Sequence, residues 1–552
     1  MAGEGNDPVS PDIHVDQLGY LPSYPKIVYV SSPLGLPYQV LDAKSQEPIL
    51  KGMLQFAKAG DPTSGAQVWR ADCSLINATG LFILRVPGLG RSYPFRMDNN
   101  IYKNLSGLAL KSFYLQRCGT ALPEILAGPW GHTACHTADG VIFSASGANG
   151  TVHPATGGWH DGGDYGKYVV NGVYAAGLLL TLYDTFPQRF ADGSLAIPES
   201  GNGIPDILDE VRWEVEWLLT MQAEDGGIYH KLTTLEPAKP SLPPEDKEPR
   251  FLMPVSTTAT AGFCALAAKS SRLFRPFHAD FAAKCLQAAQ KAWRFLEAHP
   301  SEAGFENPPG VLTKAYNDND DTDERFWAAI ELFLAANDSR FEEIALALAK
   351  KRIPLLSSSG YWGNVMLPAV VTILQTPADQ IDAKLHSTAQ KNLLELASIL
   401  MEKIHGSGYS LTINEGEFTW GSNATLLQNA LVLLFTNQVQ PNRDYLSGAL
   451  DQLHYVAGRN PLSLCYVTGL GSHSPQHPHH PFSASDKKSQ PVPGLLVGGP
   501  NQFLNDSVLK RLFTNTTAPA VTYVDDTESF ASNETSLSWN AALAFVATWF
   551  SE

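Results

Sequence analysis

The fold of this chain is decided by residues 157–186, which read GGWHDGGDYGKYVVNGVYAAGLLLTLYDTF. Glycines, aromatic residues and two aspartates make up the first part, whereas the residues from Val169 to Phe186 are mostly apolar. The first part is typical of a loop. The second is typical of a buried helix, because the run is too long for an ordinary strand. We therefore predict a helical protein whose functional residues lie in long loops between the helices.

Helical periodicity recurs after about Asn99. The other predicted helices are Leu105 to Gln116, Ile207 to Gln222, Thr258 to Phe274, Asp280 to His299, Asp323 to Asn337, Ser339 to Lys351, Asp379 to Ile404, Asn423 to Phe435, Asp444 to Gly458 and Asn533 to Phe550. About a dozen helices with no β-rich region between them fit helix pairs closed into a barrel. An open helical solenoid would give a similar count. The lack of a fixed sequence period favours the closed form.

The first part of the chain has a different pattern. Short alternating runs at Ile27 to Val30, Tyr38 to Leu41 and Leu81 to Val86 are separated by proline and glycine. Segments of this kind predict a small antiparallel sandwich. We expect two domains, an all-β domain at residues 1–98 and a mainly helical domain at residues 99–552.

The bulk composition excludes several classes of function. The chain has 552 residues, 44% of them hydrophobic, and a formal net charge of −16 without any basic run. Such a chain repels nucleic acid and anionic membranes. Its longest apolar stretch, Val169 to Leu182, contains Asn171 and Gly172 and is too short to span a bilayer. We expect a soluble globular protein with neither nucleic acid nor membrane as a partner.

The cellular location is left open by the sequence. Residues Met1 to Asp12 lack the basic start and apolar core of a signal peptide. The six cysteines are too dispersed for the disulfide framework of a small secreted module, and Cys264 and Cys285 are predicted to be buried thiols. A cytoplasmic protein and the mature part of a periplasmic or secreted protein are both compatible with these features.

Two aspartates, Asp161 and Asp164, lie three residues apart in the glycine-rich loop. One carboxylate of such a pair can accept a proton from water while the other orients that water, and the neighbouring rings can stack on a sugar. The alternative is an acidic turn before a helix, with one aspartate as its cap. Spacing alone favours the turn.

A second acidic segment, residues 523–541, reads YVDDTESFASNETSLSWNA. Glu534 stands at the start of the last apolar run, near Phe530, Asn533 and Trp539. A carboxyl partly shielded from water by aromatic rings can stay protonated and act as a general acid. The alternative is an ordinary acidic residue in a first helical turn, where the helix dipole favours it.

Together the two segments resemble the two ends of the active site in glycoside hydrolase family 9. Members carry Gly-Gly-Trp-(His or Tyr)-Asp-Ala-Gly-Asp near the start of the catalytic domain and an aromatic-x-Asp to Glu to Asn-Ala segment at its end. Residues 198–210, 229–231, 326–328, 420–423 and 498–501 are also similar to the family, and Ile13 to Pro22 resembles the start of its immunoglobulin-like domain. The resemblance implies an (α/α)6-barrel catalytic domain preceded by a small immunoglobulin-like β-sandwich.

The resemblance also implies a role for each carboxylate. Asp164 matches the general base, Asp161 its partner in holding the water, and Glu534 the general acid of an inverting endoglucanase that cleaves β-1,4 bonds in cellulose or related β-glucans. Candidate sugar-binding residues are Tyr229, His230, Trp362, Trp420 and His479. Each of these could instead belong to the core.

The chain departs from the family pattern in the loop after Cys465. The family motif ends in His-x-Arg, but residues 477–481 read HPHHP, so that Pro481 replaces the arginine. Proline cannot supply the donors of a guanidinium, and contacts to the sugar must therefore differ. Two alternatives stay open: an exo-acting enzyme on cello- or chito-oligosaccharides and, from another class, a catalytically silent carbohydrate-binding protein.

Metal sites are predicted at three places. Cys118, Cys135, His136 and His160 have spacings compatible with a structural zinc site, and the resemblance supports it. In the alternative, His153 is the fourth ligand and His160 binds sugar. Calcium is predicted at Glu199, Asn202 and Asp209, which match a calcium loop of related enzymes, and at Asp320, Asp321 and Asp323, for which helix capping is the alternative. We expect no organic cofactor, and a secreted monomer whose partner is its β-glucan substrate.

Overall fold

The computed structural model describes residues 7–138, 140–144, 150–300, 304–351, 355–485 and 489–551. Its first part is a β-sandwich whose strands β1 to β10 are Ile13–His14, Gly19–Tyr20, Ile27–Ser31, Pro37–Asp42, Pro48–Met53, Gln55–Lys58, Val68–Asp72, Gly80–Val86, Gly90–Arg91 and Phe95–Met97. One sheet has the order β1-β3-β7-β6, and the other has the order β2-β10-β8-β4-β5 with β9 beside β8. Alternate residues such as Val28, Val40 and Leu84 are fully buried in one core. The three runs predicted as strands are confirmed.

The second part is helical. Helices α1 to α15 are Lys103–Leu115, Glu124–Ala127, Val169–Thr185, Asp206–Thr220, Thr257–Phe274, Ala279–Ala298, Thr322–Ala336, Ser339–Lys351, Met366–Gln375, Ala383–Gly406, Ser422–Val439, Arg443–Val456, Ser507–Leu512, Phe530–Asn533 and Leu537–Trp549. The predicted helices are confirmed, with boundaries that differ by a few residues at most ends.

Six of these helices form a closed inner ring within the described residues. Helix α3 packs on α5, α5 on α7, α7 on α9, α9 on α11, α11 on α15 and α15 again on α3. Inner helices are buried on all sides; α5, for example, buries every residue except Arg272. Outer helices such as α6 bury a single stripe that includes Phe281, Cys285 and Ala289. The ring confirms the barrel and excludes the open solenoid.

The loops above the ring contain short strands that the sequence analysis missed. Strands β11 to β17 are Gly140–Ile142, Val152–His153, Lys167–Tyr168, Ile228–Tyr229, Lys231–Thr233, Phe251–Leu252 and Val255–Ser256. Five of them form a sheet of order β12-β11-β16-β15-β13, and β14 pairs with β17. Runs of two or three residues are too short to produce an alternating pattern. The sheet holds Lys231 of β15 opposite Tyr168 of β13.

Buried polar contacts join the sandwich to the barrel. Asp16 Oδ2 lies 2.8 Å from His454 Nδ1 and accepts a hydrogen bond of 2.9 Å from Tyr102 OH. All three side chains are almost fully buried. Because buried polar groups without partners destabilise a fold, these contacts fix how the two parts are joined.

Two properties of the whole chain match the sequence analysis. All six cysteines are buried and free, as predicted for Cys264 and Cys285. Every helix in the described part of the chain is too short or too polar to cross a bilayer.

Candidate active site

The two acidic segments predicted to carry the chemistry are neighbours in the structure. The Leu537 N–H donates a 3.0 Å hydrogen bond to the carbonyl of Asp161, and Gly162 forms a bridge with Ser536. Glu534 precedes Ser536 by two residues, and its carbonyl accepts a 2.8 Å hydrogen bond from Gly498 N–H. Backbone pairing therefore places Glu534 beside the aspartate loop.

Asp161 is the more deeply buried of the two aspartates. Its Oδ2 accepts a 2.6 Å hydrogen bond from Tyr316 OH, and its Oδ1 accepts one from the side-chain amide of Asn171. Burial raises the pKa of Asp161 to about 7, although the hydrogen bond from Tyr316 opposes this shift. Donors on both oxygens fix the orientation of this carboxylate.

Asp164 is partly exposed. Its Oδ2 accepts a 2.5 Å hydrogen bond from Tyr168 OH, and its Oδ1 accepts one of 2.7 Å from Gly166 N–H. The rings of Tyr168 and Tyr316 pack with their centroids 4.8 Å apart, so that each tyrosine of the pair donates to one aspartate. The more exposed carboxylate is the one that can reach water, as a general base requires.

Tyr316 has a left-handed backbone, with a φ of 51°. Non-glycine residues seldom adopt this conformation, and at functional sites it persists where the surroundings determine it. The ring of Tyr316 is enclosed by Tyr168 and by Trp362, whose centroid is also 4.8 Å away. This packing holds the hydroxyl group on Asp161.

Glu534 is 5% exposed and bound by two donors at one oxygen. The Oε2 atom accepts a 3.0 Å hydrogen bond from Trp420 Nε1 and a short one from Lys314 Nζ. The Oε1 atom faces Gly163, where an added Cβ would lie only 1.8 Å away. The position of this carboxylate therefore depends on the glycine.

A cleft of about 490 Å³ opens beside Glu534. Its lining includes Lys314 and Trp420, which both contact the glutamate, and the aromatic residues Tyr316, Trp362 and Trp539. Rings that offer flat faces, with a few polar groups between them, suit the binding of a sugar. Of the predicted sugar-binding residues, Trp362 and Trp420 are brought to this cleft.

His230 lies outside the cleft. It is fully buried, with Nδ1 2.7 Å from Ser256 Oγ, Nε2 2.9 Å from the carbonyl of Ala315, and its ring stacked on Phe305. Both ring nitrogens are therefore used inside the protein. In this arrangement His230 supports the backbone beside Tyr316 and leaves no nitrogen for a sugar hydroxyl.

The two remaining candidates occupy different positions. Tyr229 packs against His153, with ring centroids 5.4 Å apart, and is not among the residues that line the cleft. His479 pairs with Glu534 through the backbone, and its Nδ1 lies 2.6 Å from the carbonyl of Thr527. His479 thus lies beside Glu534, whereas Tyr229 packs against His153.

Pro481, which stands where the family has arginine, joins two loops. It is buried, and its carbonyl accepts a 3.2 Å hydrogen bond from Ser241 N–H. The neighbouring His480 is also buried, with its ring nitrogens near Gln116 and Ser483. This end of the loop is buried, and these contacts fix its position.

Four side chains form a compact cluster suited to a metal ion. One sulfur or nitrogen atom from each of Cys118, Cys135, His136 and His160 lies within 4.8 Å of the others. His136 Nδ1 is 3.1 Å from His160 Nε2, while its Nε2 is 3.3 Å from Asp246 Oδ2. A carboxylate behind a histidine is the usual support of a metal ligand. Two thiols and two imidazoles facing one another fit zinc.

The alternative zinc ligand, His153, is not in this cluster. Its Nε2 lies 2.6 Å from the carbonyl of Thr220. The structure therefore groups His160, the residue before Asp161, with the two cysteines and His136.

The first predicted calcium site is largely satisfied by protein groups. Both oxygens of Glu199 accept hydrogen bonds from Arg117, at 2.9 and 3.0 Å, and Asp209 Oδ2 accepts one of 3.0 Å from Asn202. Asp209 Oδ1 is buried without a hydrogen bond, and burial raises the pKa of this residue to about 6. Of these three residues, Asp209 is the one with a buried oxygen that lacks a hydrogen bond.

The residues of the second predicted calcium site make contacts with protein groups. Asp320 accepts a hydrogen bond from the backbone of Thr322, the first residue of α7, and Asp321 pairs with Arg325 at 2.8 Å. The adjacent Glu324, which the sequence analysis did not select, is buried with its Oε2 lacking a hydrogen bond. Burial, together with the charges of Asp323, Asp318 and Asp321, raises the pKa of Glu324 well above its usual range.

The sequence analysis also missed Lys314 and Tyr316. They belong to the segment 312–317, which reads LTKAYN and precedes the acidic run at 318–324. This segment has no helical or alternating pattern, and a lone lysine or tyrosine carries no signal of its own. The available clue was the position in a long loop of a helical protein.

Comparisons with known proteins identify the family of each part of the chain. The family model described as glycosyl hydrolase family 9 matches residues 102–547, and the model described as the cellulase N-terminal ig-like domain matches residues 9–91. A xyloglucan-specific endo-β-1,4-glucanase of Bacteroides ovatus is 36% identical, over 97% of this chain and 93% of its own. Endoglucanase D of Acetivibrio thermocellus is 32% identical, over 98% and 83%.

Solved structures show the same architecture. A metagenome-derived glycoside hydrolase family 9 endoglucanase superposes with a TM-score of 0.90 at 36% identity, over 98% of both chains. A Zn-binding triple mutant of the family 9 endoglucanase J30 gives a TM-score of 0.90 at 34% identity, over 97% of this chain and all of its own. From the family model, the full-length relatives and the barrel with its N-terminal sandwich, we conclude that this chain is a glycoside hydrolase and belongs to family 9.

Proposed function

We propose that the protein is an inverting endo-β-1,4-glucanase. The observation that carries the proposal is the pairing of the Glu534 segment with the loop of Asp161 and Asp164 at the edge of an aromatic cleft. Endoglucanases among the full-length relatives support the β-1,4 linkage and the internal point of attack. An intact set of three carboxylates argues against a silent binding protein.

Each carboxylate has one part in the reaction. Glu534 gives its proton to the glycosidic oxygen as the bond between that oxygen and the anomeric carbon breaks. A water molecule attacks the same carbon from the opposite face and gives its proton to Asp164, while Asp161 orients it. Attack from the opposite face inverts the configuration at the anomeric carbon.

The substitution Glu534→Gln tests the assignment of the acid. We expect activity on a soluble β-glucan to fall by about 10²- to 10⁴-fold, the usual contribution of a general acid. Activity on dinitrophenyl β-cellobioside should fall much less, because that leaving group needs no proton. The exposed Glu528 lies in the same segment, so Glu528→Gln is the matched control. If Glu534→Gln keeps full activity on the polysaccharide, the assignment is wrong.

Product analysis tests the mode of attack. An endo-acting enzyme should lower the viscosity of a soluble β-glucan early, when few reducing ends have formed, whereas an exo-acting enzyme should release short products first. Nuclear magnetic resonance of fresh products from cello-oligosaccharides should show the α-anomer. A fresh β-anomer would exclude inversion.

We propose two further properties, both of them metal sites. A zinc ion bound by Cys118, Cys135, His136 and His160 would be structural, because four protein ligands close the site. Calcium at the two acidic sites is supported by the buried oxygens of Asp209 and Glu324 that lack hydrogen bonds.

We place the domain boundary at residues 98/99, between the last sandwich strand, Phe95–Met97, and the first barrel helix, Lys103–Leu115. We also propose a secreted monomer. A polymeric substrate supports secretion, since it cannot enter a cell.

A further inference from the structure

We propose that Gln428, at the inner end of the cleft beside Glu534, binds a hydroxyl group of one glucosyl unit of the substrate and thereby contributes to specificity. The inference deepens the proposed function and rests on it, since it requires the cleft to hold a β-glucan chain. It concerns a residue of helix α11 that belongs to neither acidic motif.

One face of α11 lines the cleft. The helix is Ser422–Val439, and the lining residues in and directly before it are Gly421, Ala424, Thr425 and Gln428. The last three follow Gly421 by three, four and seven residues, a spacing that places side chains above one another on one side of a helix. The cleft therefore extends along α11 from its N-terminus into the barrel.

Gln428 is the lining residue of α11 that lies farthest from the N-terminus of the helix. At 1.5 Å per residue, it is about 10 Å along the axis from Gly421. The other residues of this face are a glycine, an alanine and a threonine, so that no long side chain of α11 stands between the mouth of the cleft and the Gln428 amide. Gln428 thus forms the inner end of the cleft on this side.

The side-chain amide of Gln428 makes no hydrogen bond with any residue that the structure describes, although the side chain is only 4% exposed. The adjacent Asn429 is equally buried, but its amide donates a 3.1 Å hydrogen bond to Thr412 Oγ1. Buried polar groups normally have partners, because leaving them unpaired costs free energy. Since Gln428 lines the cleft, a bound ligand can supply the partner that the protein does not.

Aromatic side chains on the walls of the cleft determine which part of a sugar reaches Gln428. Trp362, Trp420 and Trp539 line the same cleft. The faces of a β-glucosyl ring carry C–H groups and stack on apolar rings, whereas its hydroxyl groups project from its edges. A unit stacked on one of these indoles therefore presents an edge to the inner end of the cleft. Polar groups placed among apolar walls fix the orientation of a ligand.

Each edge of a glucosyl unit offers hydroxyl groups to a carboxamide. One edge has the hydroxyl groups at positions 2 and 3, and the other has the hydroxymethyl group at position 6. The amide N–H groups of Gln428 can donate to a hydroxyl oxygen, while its carbonyl can accept from a hydroxyl group. Substrates that lack one hydroxyl group at a time distinguish the two edges.

The substitution Gln428→Met keeps the length of the side chain and removes both kinds of hydrogen-bonding group. We compare kcat/KM on a cello-oligosaccharide with kcat/KM on analogues that each lack one hydroxyl group, at position 2, 3 or 6 of one unit. The wild type should cleave one analogue about 5- to 100-fold less efficiently than the complete oligosaccharide, the usual effect of a buried group left without its partner. Gln428→Met should cleave the complete oligosaccharide and that analogue equally well, because the contact is already lost.

Gln438→Met, at an exposed glutamine near the end of the same helix, is the matched control and should discriminate like the wild type. Gln428→Asn keeps an amide but withdraws it by one methylene group. It should also lose the discrimination, and it carries the test if the methionine variant does not fold.

The same relative activities on every analogue in the wild type and the Gln428 variants would overturn the inference. So would an equal loss on all substrates in these variants, which is the result of a purely structural role. If the wild type cleaves the complete oligosaccharide and one of these results is obtained, only this inference fails. If the wild type cleaves no cello-oligosaccharide, the proposed function fails and the inference fails with it.

Discussion

Replacing Gly163 with alanine should disable the acid without unfolding the protein. The added Cβ would lie 1.8 Å from Glu534 Oε1 and 2.6 Å from its Cδ, whereas ordinary contact begins at 3.4 Å. The carboxylate must therefore retreat by the difference, about 1.6 Å, against the donors Lys314 and Trp420 that hold its other oxygen. A misplacement of about 1 Å can cost roughly 100-fold in rate, and we expect kcat to fall by at least about that factor.

The backbone at Gly163 accepts an alanine, since its φ lies outside the left-handed region that favours glycine. The three atoms nearest to the added Cβ all belong to Glu534. The assay compares kcat on a soluble β-glucan with the melting temperature, which should change by no more than a few degrees. Gly107→Ala in α1, where the added Cβ meets no atom within 4 Å, is the matched control and should keep full activity. A Gly163→Ala variant with at least half of the normal kcat would refute the reasoning.

Two other predictions concern the hydrogen bond from Tyr316 to Asp161 and the cysteine–histidine cluster. The pKa of Asp161 is raised to about 7 by burial, against the opposing effect of the Tyr316 hydrogen bond; Tyr316→Phe removes that bond, so that this pKa should rise further. The acid limb of the pH–activity profile should then move to higher pH, and a shift to lower pH would contradict the role of the bond. Cys118→Ser should reduce bound zinc, measured by mass spectrometry of the purified protein, and lower the melting temperature; metal-free wild-type protein of unchanged stability would exclude a structural zinc.

Helices were predictable where they are long and apolar, whereas the shorter inner helix α9, Met366–Gln375, was not predicted. The run from Val169 to Phe186 is buried on almost all sides, and its mostly apolar composition is typical of such a helix. The strands between Gly140 and Ser256 were not predictable, since two- or three-residue pairings depend on partners distant in sequence. The order of helices around the ring was implied by the family resemblance and is set by packing.

Residues of the site could be predicted from the sequence only where a reactive side chain lies within a recognisable motif. Asp161 and Asp164 share a glycine-rich loop with aromatic neighbours, whereas Lys314 is an isolated residue of a loop that the fold brings to Glu534. The candidate His230 shows that a motif alone can mislead, because the sequence is the same whether a histidine binds a sugar or contacts a backbone carbonyl. Only its burial and its neighbours distinguish the two.

The closed ring of helices also affects how the protein folds and how it loses activity on heating. Its seam joins α3 to α15, where Asn171 donates a 2.9 Å hydrogen bond to Ser536, a residue 365 positions further along the chain. Contacts between such distant residues form slowly, since a long loop must close before they stabilise anything. The carboxylates on the two sides of this seam therefore come together late in folding. Separation of the seam on heating should abolish activity while most of the helices are still intact.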